Sequence, residues 1–195
     1  MLQNSVWRLL INNMKRKIIP FQNIEACLAE YQQDLNIYLI LDAAQVSDDA
    51  LTFINKWRDD TRLEFYSLFA GTTEGNAPFE VAPVLIIIHD FKIFENMTFN
   101  FLQETWRTQQ ALNIVLSTLD LTKFVKKMKR YLTVEFPDGS QKLFRWFDPR
   151  IVNKIDKILD EGQEYEFFND IGKWVISIRN YQDVNSNQIM LLENT

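Results

Sequence analysis

Residues 131–150 read YLTVEFPDGSQKLFRWFDPR, and the fold turns on how this stretch divides. Val134 and Phe136 lead into Pro137, Asp138 and Gly139. Proline fixes φ at the first turn position and glycine accepts the positive φ that follows, so the segment predicts a β-hairpin. On the return arm Leu143, Arg145 and Phe147 alternate with Phe144 and Trp146, giving two largely apolar faces, the pattern of a strand inside a sheet. Asp148 can then cap a helix and Pro149 suits its first position, where the missing N–H has no intrahelical partner anyway. A helix burying Ile151, Val152, Ile155, Ile158 and Leu159 is expected to follow the strand directly.

Upstream, apolar runs at 37–41, 65–69, 84–88 and 112–116 predict strands. Helical spacing predicts helices from about Phe21, from Ser47, from Thr98 and from Ser117 or Thr118. Downstream, Phe167 and Phe168 precede a last strand at 174–178, and residues from about 182 read as polar. Helices alternating with apolar strands predict an α/β or α+β class. The expected architecture is a single domain over 1–180, with a mixed, partly parallel sheet flanked by helices and a C-terminal hairpin followed by a helix. Residues 181–195 are expected to be a short polar tail.

The bulk composition narrows the function classes. A chain of 195 residues, 47% hydrophobic and 24% charged, supports one well-buried core. The longest strongly apolar run, Val81 to Ile88, is too short to span a bilayer, so no membrane partner is expected. The N-terminal stretch places its basic residues after a short apolar patch, the reverse of a secretory signal, which predicts a cytoplasmic protein. A net charge of −5 argues against a nucleic-acid partner. Lys123, Lys126, Lys127, Lys129 and Arg130 are the local exception. Leu121, Phe124, Val125 and Met128 interleave with them, so a solvated helix face explains them better than a phosphate-binding patch. The single cysteine, Cys27, lies among apolar residues at helical spacing and predicts burial.

The common enzyme signatures are missing: the chain has no Gly-rich phosphate loop, no paired cysteines, no His-Glu helix motif and no Gly-x-Ser-x-Gly elbow. Nothing in the pattern calls for a cofactor or a metal. Acid/base chemistry would have to draw on Asp42, His89, Asp90 and Asp148, all at expected strand ends, where α/β sheets place their sites. Each also has a structural reading: Asp148 as a helix cap, Asp42 as the partner of a buried arginine, and His89 with Asp90 as a solvated strand exit. Arg145 shares a strand face with apolar residues, so a carboxylate or carbonyl partner is expected for it, and a structural ion pair is favoured over direct contact with a ligand.

Leu143 to Arg150, LFRWFDPR, preceded by the Asp138-Gly139 turn, closely resembles the Leu-Phe-Arg-Phe-Tyr-Asp-Pro-Arg core of the type VI secretion effector chaperones, the Tap or TEC adaptor family. Tyr38 to Ala44, Leu68-Phe69 with Gly71-Thr72, Ala82 to Leu85, and Phe167-Phe168 followed by Trp174 resemble other segments of that family in the same order. Asn169-Asp170 stands where the family usually has Gly-Pro. The resemblance implies a non-enzymatic cytoplasmic adaptor that binds an effector protein and loads it onto a VgrG-type spike protein, with Arg145, Trp146, Phe147, Asp148, Pro149 and Arg150 as signature or partner-binding residues. The alternatives are an immunity or regulatory protein that binds one toxin, and a hydrolase using Asp42, His89 and Asp148.

Overall fold

The computed structural model describes residues 15–20, 35–89, 101–102, 104–106, 110–178 and 188–193. Its framework is a seven-stranded sheet built from β1 (Lys15–Pro20), β2 (Asn36–Asp42), β3 (Leu63–Ser67), β4 (Pro83–Ile88), β5 (Leu112–Ser117), β8 (Ile171–Ile178) and β9 (Gln188–Glu193), in the spatial order β1-β9-β8-β5-β2-β4-β3. A separate two-stranded hairpin joins β6 (Thr133–Glu135) to β7 (Gln141–Leu143). Among the described residues the fully bounded α-helices are α1 (Ser47–Trp57), α2 (Leu121–Arg130), the single turn α3 (Pro149–Val152) and α4 (Glu161–Phe168).

Among the described residues every hydrogen-bonded strand pair is antiparallel, which overturns the expected partly parallel sheet. The error has a definite origin. β2 and β3 do run in the same direction across α1, as a helical crossover requires, but β4 is inserted between them and pairs antiparallel with both. β4 and β5 likewise flank β2. A crossover fixes relative direction and not adjacency, so an alternating pattern of strands and helices is compatible with an all-antiparallel sheet.

Both faces of the sheet are covered. In β2 the odd residues Ile37, Leu39 and Leu41 pack with Val84, Ile86 and Ile114 beneath Ala50, Phe53 and Ile54 of α1. The even residues Tyr38 and Ile40 pack with Leu85, Val115 and Trp174 beneath Phe124 and Met128 of α2 and the aromatics of the hairpin exit and α4. This is why β4 and β5 are buried at every position and read as unbroken apolar runs.

Other boundaries move for local reasons. α2 starts after Asp120, whose side chain accepts a hydrogen bond from the Lys123 N–H at 2.9 Å, and not at Ser117 or Thr118. Ser117 ends β5, where its hydroxyl donates to the Asp170 carbonyl at 2.6 Å. The Asn169-Asp170 turn places Asp170 at φ +66°, a conformation that aspartate tolerates and proline cannot adopt. Within the segment read as a polar tail, Ile189 to Leu192 are buried and β9 lies between β1 and β8. β1 is the outermost strand on its side of the sheet among the described residues, and its basic residues are exposed. The expected helix from Phe21, together with Cys27 and Asp90, lies outside the described residues; of the helix expected from Thr98, residues 101, 102 and 104–106 are helical, and Leu102 and Trp106 are buried as expected. No helix among the described residues is long and apolar enough to cross a membrane.

Candidate binding site

The turn after β6 forms as its residues dictate: Gly139 takes φ +79° and its N–H donates to the Phe136 carbonyl at 2.8 Å, while Asp138 accepts from the Ser140 N–H at 2.9 Å. The return arm departs from expectation. β7 stops at Leu143, so the hairpin stands apart from the main sheet and the chain turns where a central strand was expected. In a continuing strand Trp146 and Phe147 would face opposite ways. Here the turn directs both into one core, 0% and 2% exposed, and the Trp146 ring meets Phe147, Phe167 and Trp174 edge to face at centroid distances of 5.8–6.1 Å.

Two polar groups hold this loop against the sheet. The first is Asn113 in β5, fully buried, whose amide nitrogen donates to the Phe147 carbonyl at 2.6 Å and whose amide oxygen accepts from the Trp174 indole N–H at 3.0 Å. The second is Asp42 at the end of β2. Its carboxylate is 0% exposed and receives Arg145 Nη2 at 2.6 Å and Gln45 Nε2 at 2.8 Å on the same oxygen. Its other oxygen, Oδ1, has no hydrogen-bond partner among the described residues. Arg145 is not desolvated as its strand position implied: its side chain is 43% exposed and lies over the Phe147 ring, with Cζ 5.5 Å from the centroid. It roofs a buried carboxylate while keeping one side in water.

Removing the roof therefore exposes the cost of the charge below it. Breaking a fully buried pair costs about 3–5 kcal/mol and an exposed one about 0–1 kcal/mol, which places Arg145→Ala at about 2 kcal/mol. Denaturant melts measure this, and the double variant Arg145→Ala/Asp42→Asn, which strands no charge, should recover part of the loss. A single variant as stable as the wild type would remove Arg145 from the scaffold.

Burial is the largest influence on the Asp42 carboxyl and pushes it above its ordinary value of 3.8. Hydrogen bonds from Gln45 and Arg145 and the charge of Arg145 pull it back, while the charge of Asp148 adds to the upward push. A carboxyl raised in the folded state keeps its proton there longer than in the unfolded chain. It contributes stability that is fully present below pH 3.8 and is lost as pH rises through the raised value. Compared with Asp42→Asn, which cannot titrate, the wild type should lose stability as pH rises from 3.8 toward neutrality. Parallel denaturant titrations across that window measure the difference, and identical pH dependences would contradict it.

Asp148 caps α3 through the Arg150 N–H at 2.9 Å, with Pro149 in the first turn. The same carboxylate takes the Arg150 side chain in a fork, with Nε at 2.9 Å to Oδ1 and Nη2 at 2.6 Å to Oδ2. Pro149 is buried, and the Arg150 side chain remains 57% exposed. The junction thus presents two half-exposed guanidiniums, each anchored by a carboxylate, and the hairpin that leads into it exposes Phe136 and Leu143. Exposed guanidiniums and exposed apolar side chains are the materials of a protein-binding patch.

The structure brings Asp42 and Asp148 close enough for their charges to interact, but it leaves His89 apart from them. Asp42 pairs with Pro83 at the start of β4, whereas His89 follows the end of that strand, about 20 Å away at the rise of an extended chain. His89 is half exposed, with Nε2 3.5 Å from Glu64 Oε2. Neighbouring strand ends in an antiparallel sheet lie at opposite rims, so the shared-rim logic of a parallel sheet does not transfer. Asn113 is the residue that sequence reading missed; an Asn inside an otherwise apolar strand is the signal that could have found it.

No curated protein and no solved structure matches the chain. A model of a family described as a domain of unknown function, DUF4123, matches residues 37–165, from β2 into α4, and so takes in Asp42, Asn113, Arg145 and the Asp148-Pro149-Arg150 cap. With more than half of its length matched, the chain belongs to the DUF4123 family, which is associated with type VI secretion adaptors.

Proposed function

We propose that this protein is an adaptor that holds a type VI secretion effector in the cytoplasm and loads it onto a VgrG-type spike, with no catalytic step of its own. The observation that carries the reading is the family match across 37–165, within which the LFRWFDPR octapeptide forms the junction just described. The geometry is compatible with it. Trp146 and Phe147 serve as the buried foundation of the junction, and the side chains exposed around it are Arg145, Arg150, Phe136 and Leu143. An adaptor needs such a rigid base, because interface side chains that are already positioned lose less entropy when the partner arrives.

A tagged copy expressed in its native cell and recovered under mild conditions tests the proposal. Recovery of both a spike and an effector supports loading. Recovery of an effector alone points to a toxin-binding protein, and recovery of neither contradicts the adaptor reading.

A further inference from the structure

A second surface, away from the junction, has the form of a strand-docking site. Between β3 and α2 lies an open groove of about 610 Å³, floored by Glu64 and Tyr66 of β3 and walled by Val125, Lys126, Lys129 and Arg130 of α2. Lys129 ties the two walls together: its ammonium donates to the Tyr66 hydroxyl at 3.1 Å and to the Ala70 carbonyl. Glu64, the one acidic lining residue, lies 3.5 Å from His89. Lys126 and Arg130 stand one helical turn apart, both exposed, and neither has a carboxylate partner among the described residues.

The floor of the groove is also the open end of the sheet, since β3 is the last strand in the order among the described residues. Its register tells which backbone groups face out. The Arg62 carbonyl accepts from the His89 N–H and the Leu68 N–H donates to the Pro83 carbonyl, so the even residues bond to β4 and the odd ones point away. The Leu63 N–H and the Ser67 carbonyl are taken up locally by Asp60 and Ala70. That leaves the Leu63 carbonyl, both backbone groups of Phe65 and the Ser67 N–H directed outward, a short but complete template for one added strand.

We propose that this groove receives an acidic, extended segment of a partner protein, which adds a strand to β3 and places alternate carboxylates against Lys126 and Arg130. Strand addition supplies affinity through the main chain and specificity through every second side chain, and here those side chains fall on the apolar Val125 and the two cations. A chain with a net charge of −5 that concentrates unpaired cations beside an open edge selects against a basic segment as well as for an acidic one. The identity of the partner as an effector or spike rests on the adaptor reading; the docking chemistry does not.

The test uses a fluorescent peptide alternating Glu and Val, its Lys/Val counterpart, and a Glu/Val peptide N-methylated along the edge that would pair. The first should bind and weaken as salt is raised, and the other two should not bind. Lys126→Glu/Arg130→Glu, on an exposed helix face, should weaken binding about tenfold or more without altering the melt. Equal binding of the Lys/Val or N-methylated peptide, or undiminished binding to the double variant, would overturn the proposal. So would a concentration-dependent dimer abolished by the double variant, which would give the groove to a second copy. A spike–effector complex that forms equally with the double variant would leave the adaptor reading intact and remove this site from it. Peptide binding without any such complex would do the reverse.

Discussion

Trp146→Ala is expected to cost about 3–5 kcal/mol, the range for truncating a large, fully buried aromatic. The indole is 0% exposed and makes edge-to-face contacts with Phe147, Phe167 and Trp174, so alanine leaves a cavity among rings that cannot close over it without giving up their own geometry. Phe167 stacks on Trp174 at 5.4 Å and meets Phe168 edge on, which spreads the damage to α4 and β8. For a domain whose total stability is of order 5–15 kcal/mol, the variant should sit close to its unfolding threshold. Denaturant melts read the loss. A cost below about 1 kcal/mol would mean that Trp146 is not part of the core.

Asn113→Leu is expected to cost about 2–4 kcal/mol, although leucine has the same branched shape as asparagine and is more apolar. The substitution strands two buried groups at once, the Phe147 carbonyl and the Trp174 indole N–H, and each buried group left without a partner costs about 1–3 kcal/mol. A thermodynamic cycle isolates the cause. Trp174→Phe removes the stranded donor, so the double variant should be less destabilised than the two single losses added together. Strict additivity would mean that the Asn113 to Trp174 bond contributes nothing, and the junction would then be held by packing alone.

The strands of the sheet interior were legible because burial on both faces leaves its mark as unbroken apolar runs: 37–41, 84–88 and 112–116 each fall within an observed strand. Their neighbours were not legible. Nothing in the run at 84–88 says that it inserts between β2 and β3, because that choice is made by long-range pairing and α1 is equally compatible with either arrangement. β1 hides for a different reason. An edge strand blunted by Lys15, Arg16 and Lys17 reads as a charged segment, and its pairing with β9 spans nearly the whole chain. β9 was visible in principle, since Ile189-Met190-Leu191-Leu192 is a four-residue apolar run inside a polar stretch.

At the junction, chemistry was easier to read than geometry. The turn at Pro137-Asp138-Gly139 and the cap at Asp148-Pro149 follow from local backbone preferences and form where those residues stand. Arg145 demanded an acidic or carbonyl partner, and Asp42 occupies that position from 103 residues away. The alternation of LFRWF misled, because a period of two was read through a segment that leaves the ladder after Leu143. Aromatic residues make up 13% of the chain, and the resemblance implied that Trp146 and Phe147 are signature or partner-binding residues. Trp146, Phe147, Phe167, Phe168 and Trp174 instead fill a single aromatic core, and the exposed chemistry of the junction passes to its arginines and to the hairpin residues Phe136 and Leu143.

Size-exclusion chromatography with light scattering, applied to the purified protein mixed with a VgrG-type spike and an effector from the same cell, measures whether one particle contains all three. The adaptor reading predicts a ternary complex whose mass is the sum of its parts and which does not assemble from spike and effector when this protein is omitted. A spike and effector that associate equally well without it, or a protein that elutes alone in every mixture, would contradict that reading.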